Sequence, residues 1–521
     1  MIKDIKLLLS SRKFMAILIV SAFLRLLFFI FLLPNKPSSF GPDEGTYASL
    51  ARYVSESLPV EDFPAYGPGL YNSARSIIVP SSLLIKLGMG ELDSVRLVST
   101  VYGLISTFAL GLCYLAILKL RRNNELGNTS PVDNRFLTLT FVFTFLPSNF
   151  IWSTIGLRES GSQFWLIATF LTLINTYLKR GFKSCVLGLI AALALTMAFG
   201  TRPQTALVFS VCAATLTVVV AFKIRRYTPL LAVVIGFFAG QAFTSTPKVH
   251  AEARFSAIRV IDTLSAVAQP SQSAKSAVAQ PSQSAEGMAA QPSQSAEGMV
   301  AQPSQSAEAK VEESPTKKSS LQASILCKEE NVIIKVNQDQ YLCKSTEVYK
   351  SGGRNPITTL QRQLLTAKLL EYKRNVNTLD AQSALPVSDC QGTSVTLITI
   401  FKCNLRELPY RLFAFLFRPL IFLDSGSSFL VLAAVENIFW ALLISLILLS
   451  FFRATMENSI KHIAFGLLIY LVGFSMSAAL YEGNLVTAFR HKSTILWVSI
   501  LILMIAKGRN QKLSSTKESS F

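Results

Sequence analysis

The feature that most constrains the fold of this chain is a series of apolar runs, each about 17 to 25 residues long. A helix of about 20 residues crosses the hydrocarbon core of a bilayer, because it rises about 1.5 Å per residue. Half of the 521 residues are hydrophobic and only 16% are charged, as such a chain requires. The sequence therefore predicts an all-α, polytopic membrane protein surrounded by a lipid bilayer.

Basic residues at the ends of the runs indicate how the chain crosses the membrane, since Lys and Arg concentrate in cytoplasmic loops. Residues 1–13 are basic, and basic residues follow every second run up to residue 226. The pattern predicts about ten spans in a cell membrane, with both termini cytoplasmic. The predicted spans are 14–33, 95–118, 136–154, 162–178, 184–200, 204–222, 228–244, 427–451, 463–480 and 494–506.

The same pattern divides the chain into an N-terminal membrane domain (1–244), an extracytoplasmic insertion (245–395) and a C-terminal membrane domain (396–521). The first outer loop, 34–93, is predicted to hold helices that lie at the membrane interface. Within this loop the sequence predicts a helix at 45–56, a turn at 64–69 and an interfacial helix at 76–87. A later apolar segment, 408–423, is predicted to be interfacial or re-entrant; if it spans the membrane instead, all later loops change sides.

The insertion contains a tandem repeat. The heptapeptide Ala-Gln-Pro-Ser-Gln-Ser-Ala begins at Ala268, Ala279, Ala290 and Ala301, a spacing of 11 residues. A proline in every unit and the lack of large apolar side chains predict that the repeats, at about 265–310, are disordered. An 11-residue period can also indicate a right-handed coiled coil, but the prolines and the missing apolar seam exclude it.

A small cap is predicted after the repeats, with a strand or hairpin at 331–342 and a helix at 358–376. Four cysteines lie in or beside it and could form two disulfides in an oxidising compartment. They are Cys327, Cys343, Cys390 and Cys403. Their spacing lacks a CxxC pattern, so a zinc site is not expected.

Charges that break the topology rule point to a functional site. The short outer loops between spans carry only four basic residues, Arg158, Arg202, Arg490 and Lys492. A cation on the outer side opposes the orientation signal, so another interaction must keep it there. The predicted topology puts these residues on the same membrane face as two adjacent carboxylates, Asp43 and Glu44.

This combination suits a phosphate-bearing substrate. Arginine binds phosphate through paired, charge-assisted hydrogen bonds, and a carboxylate can act as general base for an acceptor hydroxyl or hold a cation. The candidate catalytic residues are Asp43 and Glu44, and the candidate phosphate-binding residues are Arg158, Glu159, Arg202, Arg490, His491 and Lys492. Simpler explanations stay open: the carboxylates could cap a helix, Arg158 and Glu159 could form an interfacial ion pair, and Arg202 could extend to lipid head groups.

Two stretches resemble a known family. The Leu-Arg-Leu-Leu pattern around Arg25 and the Pro-Asp-Glu-x-x-Tyr pattern of 42–47 resemble those of the polytopic C-type glycosyltransferases. Within that family, these residues resemble the bacterial protein mannosyltransferase and aminoarabinose transferase group. The resemblance implies transfer of a sugar from a polyprenyl-phosphate donor to a glycan, lipid or protein acceptor, with Asp43 as base and Glu44 beside it. A divalent metal is compatible with the sequence but is not required by it.

Three other functions are compatible with the sequence, and one of them is a purely structural surface protein that displays the repeats outside the cell. A polysaccharide polymerase or ligase acting on polyprenyl-pyrophosphate glycans would use the outer arginines without needing Asp43. A transporter is less consistent with the sequence, because Glu436 is the main ionisable residue within the later spans and an ion pathway usually needs several. The net charge is +19, but most Lys and Arg residues of the short loops flank apolar runs, so membrane orientation explains them. No basic soluble module with interleaved aromatic residues is visible, so no nucleic-acid partner is expected.

Overall fold

A computed structural model gives the structure of the protein over most of its membrane-associated sequence. The described residues are 2–32, 42–60, 63, 67–122, 132–224, 227–245, 333–337, 340–343, 397–420, 424, 428–453, 458–481 and 485–506. The chain divides into two units. One combines Met1–Leu264 with Leu364–Phe521, and the other is Ser265–Gln363.

The first unit is helical over nearly all of its described residues. Its helices are α1 (Ile2–Ser10), α2 (Arg12–Leu27), α3 (Pro42–Ser55), α4 (Gly67–Lys86), α5 (Glu91–Arg122), α6 (Asn134–Phe145), α7 (Pro147–Trp152), α8 (Arg158–Leu178), α9 (Phe182–Phe199), α10 (Pro203–Ile224), α11 (Thr228–Ser245), α12 (Leu397–Phe417), α13 (Ser428–Arg453), α14 (Asn458–Tyr481) and α15 (Leu485–Ile505). The α2 helix continues as a π-helix over Phe28–Leu32.

Six helical segments in the described residues are long and apolar enough to cross a membrane. They are Arg12–Ile30, Glu91–Leu120, Phe182–Phe199, Leu430–Phe451, His462–Leu480 and Thr487–Ile505. Two shorter apolar segments, Pro203–Val218 and Thr228–Ala242, overlap further predicted spans. The protein is therefore a multi-pass helical membrane protein, and the prediction of ten spans goes beyond these six.

Large apolar side chains cover the outward faces of α9, α11 and α13. Leu193, Phe238 and Ile438, one on each helix, are each more than half exposed. Apolar surface on this scale is stable next to lipid and is rare on proteins in water. These faces therefore contact the hydrocarbon of a bilayer.

The α15 helix lies at the centre of the first unit. It packs against α5, α6, α7, α8, α12, α13 and α14. Of its most apolar window, 94% is buried, against 17% for the segment at Arg12–Ile30. A helix that is apolar on all sides is stable in such a central position, and the position brings the first turns of α15, with Arg490 to Lys492, close to several other helices.

Arg25 points into this bundle and not towards lipid. Its side chain is fully buried, and it donates to Ser153 Oγ through Nε at 3.1 Å and Nη2 at 3.0 Å. It also donates to Ser21 and lies over the Phe150 ring, 4.8 Å from the centroid. The arginine of the Leu-Arg-Leu-Leu pattern thus connects α2 to the segment that follows α7.

The predicted span 136–154 is wrong as a single helix. The helix is interrupted at Leu146, so that α6 has 12 residues and α7 has 6. Proline disfavours a helical conformation in the residue before it and suits the first position of a helix, so Pro147 ends one helix and begins the next. A helix of 12 residues is about 18 Å long, well short of a membrane core of about 30 Å.

The first outer loop is more helical than predicted. The α3 helix begins at Pro42 instead of 45, and α4 begins at Gly67, inside the predicted turn, and continues through Pro80. The α12 helix likewise continues through Pro409 and covers most of the predicted interfacial segment 408–423. A hydropathy pattern underestimates these helices because their buried faces pack against other helices and not against lipid.

The second unit is described only as a β-hairpin. Strands β1 (Ile333–Asn337) and β2 (Gln340–Cys343) pair antiparallel, with an irregular register between Lys335 and Asn337. They overlap the stretch 331–342 that is predicted as a strand or hairpin. Several predictions fall outside the described residues: the repeats at 265–310, the helix at 358–376, and any disulfide of Cys327 or Cys390.

Candidate functional site

The α3 helix begins with the two candidate carboxylates, Asp43 and Glu44, in its first turn. Pro42 suits the first position of a helix, and acidic side chains there are stabilised by the helix dipole. The capping explanation is thus compatible with the structure. Each carboxylate nevertheless has its own arginine partner, and the two partners differ.

Asp43 is bound to Arg490 across 447 positions of sequence. Arg490 Nη1, near the start of α15, donates to Asp43 Oδ2 at 2.6 Å. The Asp43 side chain is 47% exposed, whereas that of Arg490 is 14% exposed. Asp43 therefore lies at the open side of this ion pair.

Glu159 lies behind Arg490 and joins it to Arg202. Its Oε1 accepts from Arg490 Nε at 2.7 Å and from Arg202 Nη1 at 3.1 Å, and its side chain is 1% exposed. Burial by itself raises the pKa of Glu159, but the charges of Arg490, Arg202 and Arg158 outweigh burial and lower this pKa to about 2. Glu159 therefore stays ionised at neutral pH and is a weak base that fixes two arginines.

His491 completes this arrangement. Its Nε2 is hydrogen-bonded to Nη2 of Arg202, which is itself buried rather than extended to lipid head groups. A guanidinium group can only donate, so His491 Nε2 is the acceptor in this bond.

Arg158 is close to these side chains but is bound elsewhere. Its Nη1 donates to the carbonyl and the hydroxyl oxygens of Ser73 on α4, at 3.2 and 3.0 Å. Glu159 pairs with Arg202 and Arg490, so the alternative of an ion pair between Arg158 and Glu159 does not describe this structure. We call the set Asp43, Arg158, Glu159, Arg202, Arg490 and His491 the charged cluster.

Glu44 has a different environment from Asp43. It is fully buried, and its carboxylate accepts from Arg96 Nε at 2.6 Å, Arg96 Nη2 at 3.3 Å and the Gly156 N–H at 3.3 Å. Gly156 approaches α5 so closely that a Cβ there would lie 2.5 Å from Val95 Cγ1. Glu44 thus joins α3 to α5 and to the loop before α8, which is a positioning role for its neighbour Asp43.

Lys492 is also held away from the charged cluster. It is fully buried and donates to Asn437 Oδ1 at 2.5 Å and to the carbonyl oxygen of Arg418 at 3.1 Å. Asn437 in turn donates to the carbonyl of Pro419 at 2.8 Å. These contacts connect the start of α15 to α13 and to the end of α12. They also occupy the Lys492 amino group, which the sequence predicted to be a phosphate ligand.

Sequence reasoning missed Arg96. This residue lies in the first turns of α5, beside the predicted start of the second span at 95. A basic residue at the outer end of a span opposes the orientation signal as much as one in a short loop. Extending the same test from loops to the ends of spans would have found Arg96.

Metal and disulfide sites are the remaining predictions of the sequence. Among the described residues, no three His, Cys, Asp or Glu side chains are grouped so that they could hold a metal ion. Asp43 and Glu159 are instead bridged by the Arg490 guanidinium. Cys113, Cys185 and Cys212 are free thiols, and a disulfide among the four later cysteines stays a prediction.

No protein-family model matches this chain, and no curated protein or solved structure matches it. The fold and the charged cluster define a multi-pass helical membrane protein that concentrates arginines and carboxylates at one place.

Proposed function

We propose that this protein is an integral-membrane glycosyltransferase that moves a sugar from a polyprenyl-phosphate donor to a glycan, lipid or protein acceptor at the outer face of the membrane. The observation that supports it most is the half-exposed Asp43 carboxylate bound to Arg490 within 2.6 Å, backed by Glu159 and Arg202. A candidate base and candidate phosphate-binding groups thus lie together, and this supports the proposal.

The charged cluster suits an anionic donor. Three guanidinium groups, those of Arg158, Arg202 and Arg490, outnumber the two carboxylates of Asp43 and Glu159. Arginines held in fixed positions stabilise the charge that develops on a departing phosphate without reorganising during the reaction. In this proposal Arg490, with Arg202 and Arg158, binds the donor phosphate.

Asp43 acts as general base in the proposed step. Its carboxylate takes the proton of an acceptor hydroxyl, whose oxygen forms a bond to the anomeric carbon of the sugar. The bond from that carbon to the phosphate oxygen breaks, and polyprenyl phosphate leaves with the bonding electrons. Glu159 stays ionised and fixes the arginines, and Glu44 holds the start of α3 in place.

In this proposal the N- and C-termini are cytoplasmic, ten segments span the membrane, and the insertion 245–395 is extracytoplasmic. The charge distribution of the sequence supports this orientation. It puts the charged cluster on the side of the membrane where the cell envelope is built.

The substitution Asp43→Asn tests the proposal. The purified full-length protein, in lipid nanodiscs, is incubated with polyprenyl-phosphate-linked hexoses or pentoses and with detergent-extracted membranes as acceptor. We expect Asp43→Asn to lower turnover by about 10²- to 10⁴-fold, the range for loss of a general base. Release of polyprenyl phosphate is the measured quantity.

Asp93→Asn is the matched control, because Asp93 is an exposed carboxylate in the predicted first outer loop. It should retain the turnover of the unmodified protein. If Asp43→Asn and Asp93→Asn turn over equally, Asp43 is not the base. Full activity of Asp43→Asn together with loss in Arg490→Gln would favour the polymerase or ligase acting on polyprenyl-pyrophosphate glycans.

A further inference from the structure

The Arg490 side chain is held between two carboxylates that differ greatly in exposure. Glu159, on Nε, has 1% of its side chain exposed, and Asp43, on Nη1, has 47% exposed. The two hydrogen bonds have nearly equal lengths, 2.7 and 2.6 Å. The exposure of each carboxylate, and not the length of its hydrogen bond, therefore determines which carboxylate is more readily replaced on Arg490.

The Glu159 side of Arg490 is fixed by further contacts. Glu159 also binds Arg202, and Arg202 binds His491, the residue next to Arg490 on α15. Removing Glu159 from Arg490 would leave buried charges without partners, which is strongly unfavourable. The Asp43 side is an ion pair at a partly exposed position, where water can replace either partner and the net stabilisation is small.

We propose that Asp43 occupies, in the ligand-free protein, the position on Arg490 that the phosphate of an anionic ligand takes, so that phosphate binding releases the Asp43 carboxylate. The ligand is a phosphate group carried by a lipid, and its identity as a sugar donor rests on the proposed function. Phosphate competes well for this position, because it can make paired, charge-assisted hydrogen bonds to a guanidinium group.

The exchange has a consequence for the order of events. While Arg490 Nη1 donates to Asp43 Oδ2, that oxygen is occupied and cannot accept from an acceptor hydroxyl, whereas a released carboxylate can take its proton. Donor binding thus activates Asp43, and the donor must bind before the acceptor reacts. Asp43 acts both as competitor for the donor phosphate and as base, so its removal affects binding and turnover in opposite directions.

The experiment measures binding without turnover. Sugar-free polyprenyl phosphate is titrated into nanodiscs that contain the full-length protein, Asp43→Asn or Asp93→Asn, and binding is followed by native mass spectrometry. We expect Asp43→Asn to bind roughly two- to fivefold more tightly, which corresponds to about 0.4 to 1 kcal/mol and lies in the range for an exposed ion pair. Asp93→Asn, which removes the same charge elsewhere in the predicted outer loop, should bind as the unmodified protein does.

Two further measurements test the part played by Arg490 and the chemistry of the ligand. Adding Arg490→Gln to Asp43→Asn should abolish the gain in affinity for polyprenyl phosphate. Thermal midpoints of Asp43→Asn and Asp93→Asn equal to that of the unmodified protein would show that both variants fold. A parallel titration with inorganic phosphate distinguishes a lipid phosphate from a soluble one. Binding by Asp43→Asn that is no tighter than that of Asp93→Asn, or no binding of polyprenyl phosphate to any form, would overturn the exchange.

The outcome is separable from that of the proposed function. Tighter binding by Asp43→Asn in a protein that transfers no sugar would support the exchange and reject glycosyl transfer. Sugar transfer that depends on Asp43, without tighter binding by Asp43→Asn, would support the transferase and reject the exchange.

Discussion

Two ion pairs start from neighbouring residues of α3 and have opposite physical characters. The pair of Asp43 with Arg490 is partly exposed, whereas that of Glu44 with Arg96 has side-chain exposures of 0% and 4%. A buried charge that loses its partner is strongly destabilising, because no water replaces the partner. Asp43 is therefore suited to exchange and Glu44 to holding the helix.

Glu44→Gln tests the role of the buried pair. We expect the substitution to lower the free energy of unfolding by about 3 kcal/mol, since Arg96 keeps its charge in a buried site. Glu56→Gln is the control, because Glu56 and its partner Arg52 are 47% and 58% exposed, and it should change stability by less than about 1 kcal/mol. Unfolding in mixed detergent micelles measures both, and equal shifts would contradict the positioning role of Glu44.

The sequence predicts the members of the charged cluster better than their pairing. Arg158, Arg202 and Arg490 could be found because each opposes the charge rule for membrane orientation. The partners could not be assigned, because Asp43 and Arg490 are 447 positions apart and Glu159 and Arg490 are 331 apart. Only the packing of helices decides which carboxylate meets which arginine.

At the scale of elements, one helix caps another. The Ser148 N–H, at the start of α7, donates to Glu436 Oε2 on α13 at 2.5 Å, and Trp440 Nε1 donates to Glu436 Oε1 at 3.0 Å. The first N–H groups of a helix have no partner within it, so an acceptor from another helix satisfies one of them. The contact gives Glu436, the ionisable residue that a transporter would use, a structural role.

Glu436→Leu tests this role. We expect it to lower the free energy of unfolding by about 1 to 2 kcal/mol, the range for loss of a helix cap, and to lower turnover as well, because α7 leads directly into Arg158 and Glu159. Glu91→Gln, at a partly exposed residue in the first turn of α5, is the control. Unchanged stability in Glu436→Leu would show that the cap contributes little.

The break between α6 and α7 shows why helix boundaries were harder to predict than helix positions. An average of hydropathy over 136–154 treats Pro147 as one residue among many. The structure responds to that proline locally, because it lacks an N–H group and restricts the residue before it. Prolines 80 and 409 lie inside helices instead, so the residue type alone does not decide the outcome.

In the whole molecule, the repeats at 265–310 belong to a different unit from the membrane helices. The described helices all belong to the unit that excludes Ser265–Gln363. We expect deletion of residues 265–310 to leave the thermal midpoint and the turnover unchanged. Replacement of the same residues by a Gly/Ser segment of equal length is the control, and loss of turnover in both variants would show that the repeats contribute to activity.

Apolar run lengths were sufficient to predict a multi-pass helical protein, and the six long apolar helices confirm that level of description. The number of membrane spans is harder to predict, because it depends on helices such as α8, whose buried face carries Ser162, Gln163 and Asn175. Polar residues lower hydropathy wherever they lie, although here they face protein and not lipid. Composition averaged over a window cannot separate these two environments.

Three consecutive residues of α15 fix that helix from three directions. Successive side chains of an α-helix are about 100° apart, and Arg490, His491 and Lys492 bind Glu159, Arg202 and Asn437 respectively. A rotation or a sliding of α15 would break all three contacts together, so these contacts oppose its displacement within the first unit. The Asp43 contact from α3 is the partly exposed one, so it can be broken without moving α15.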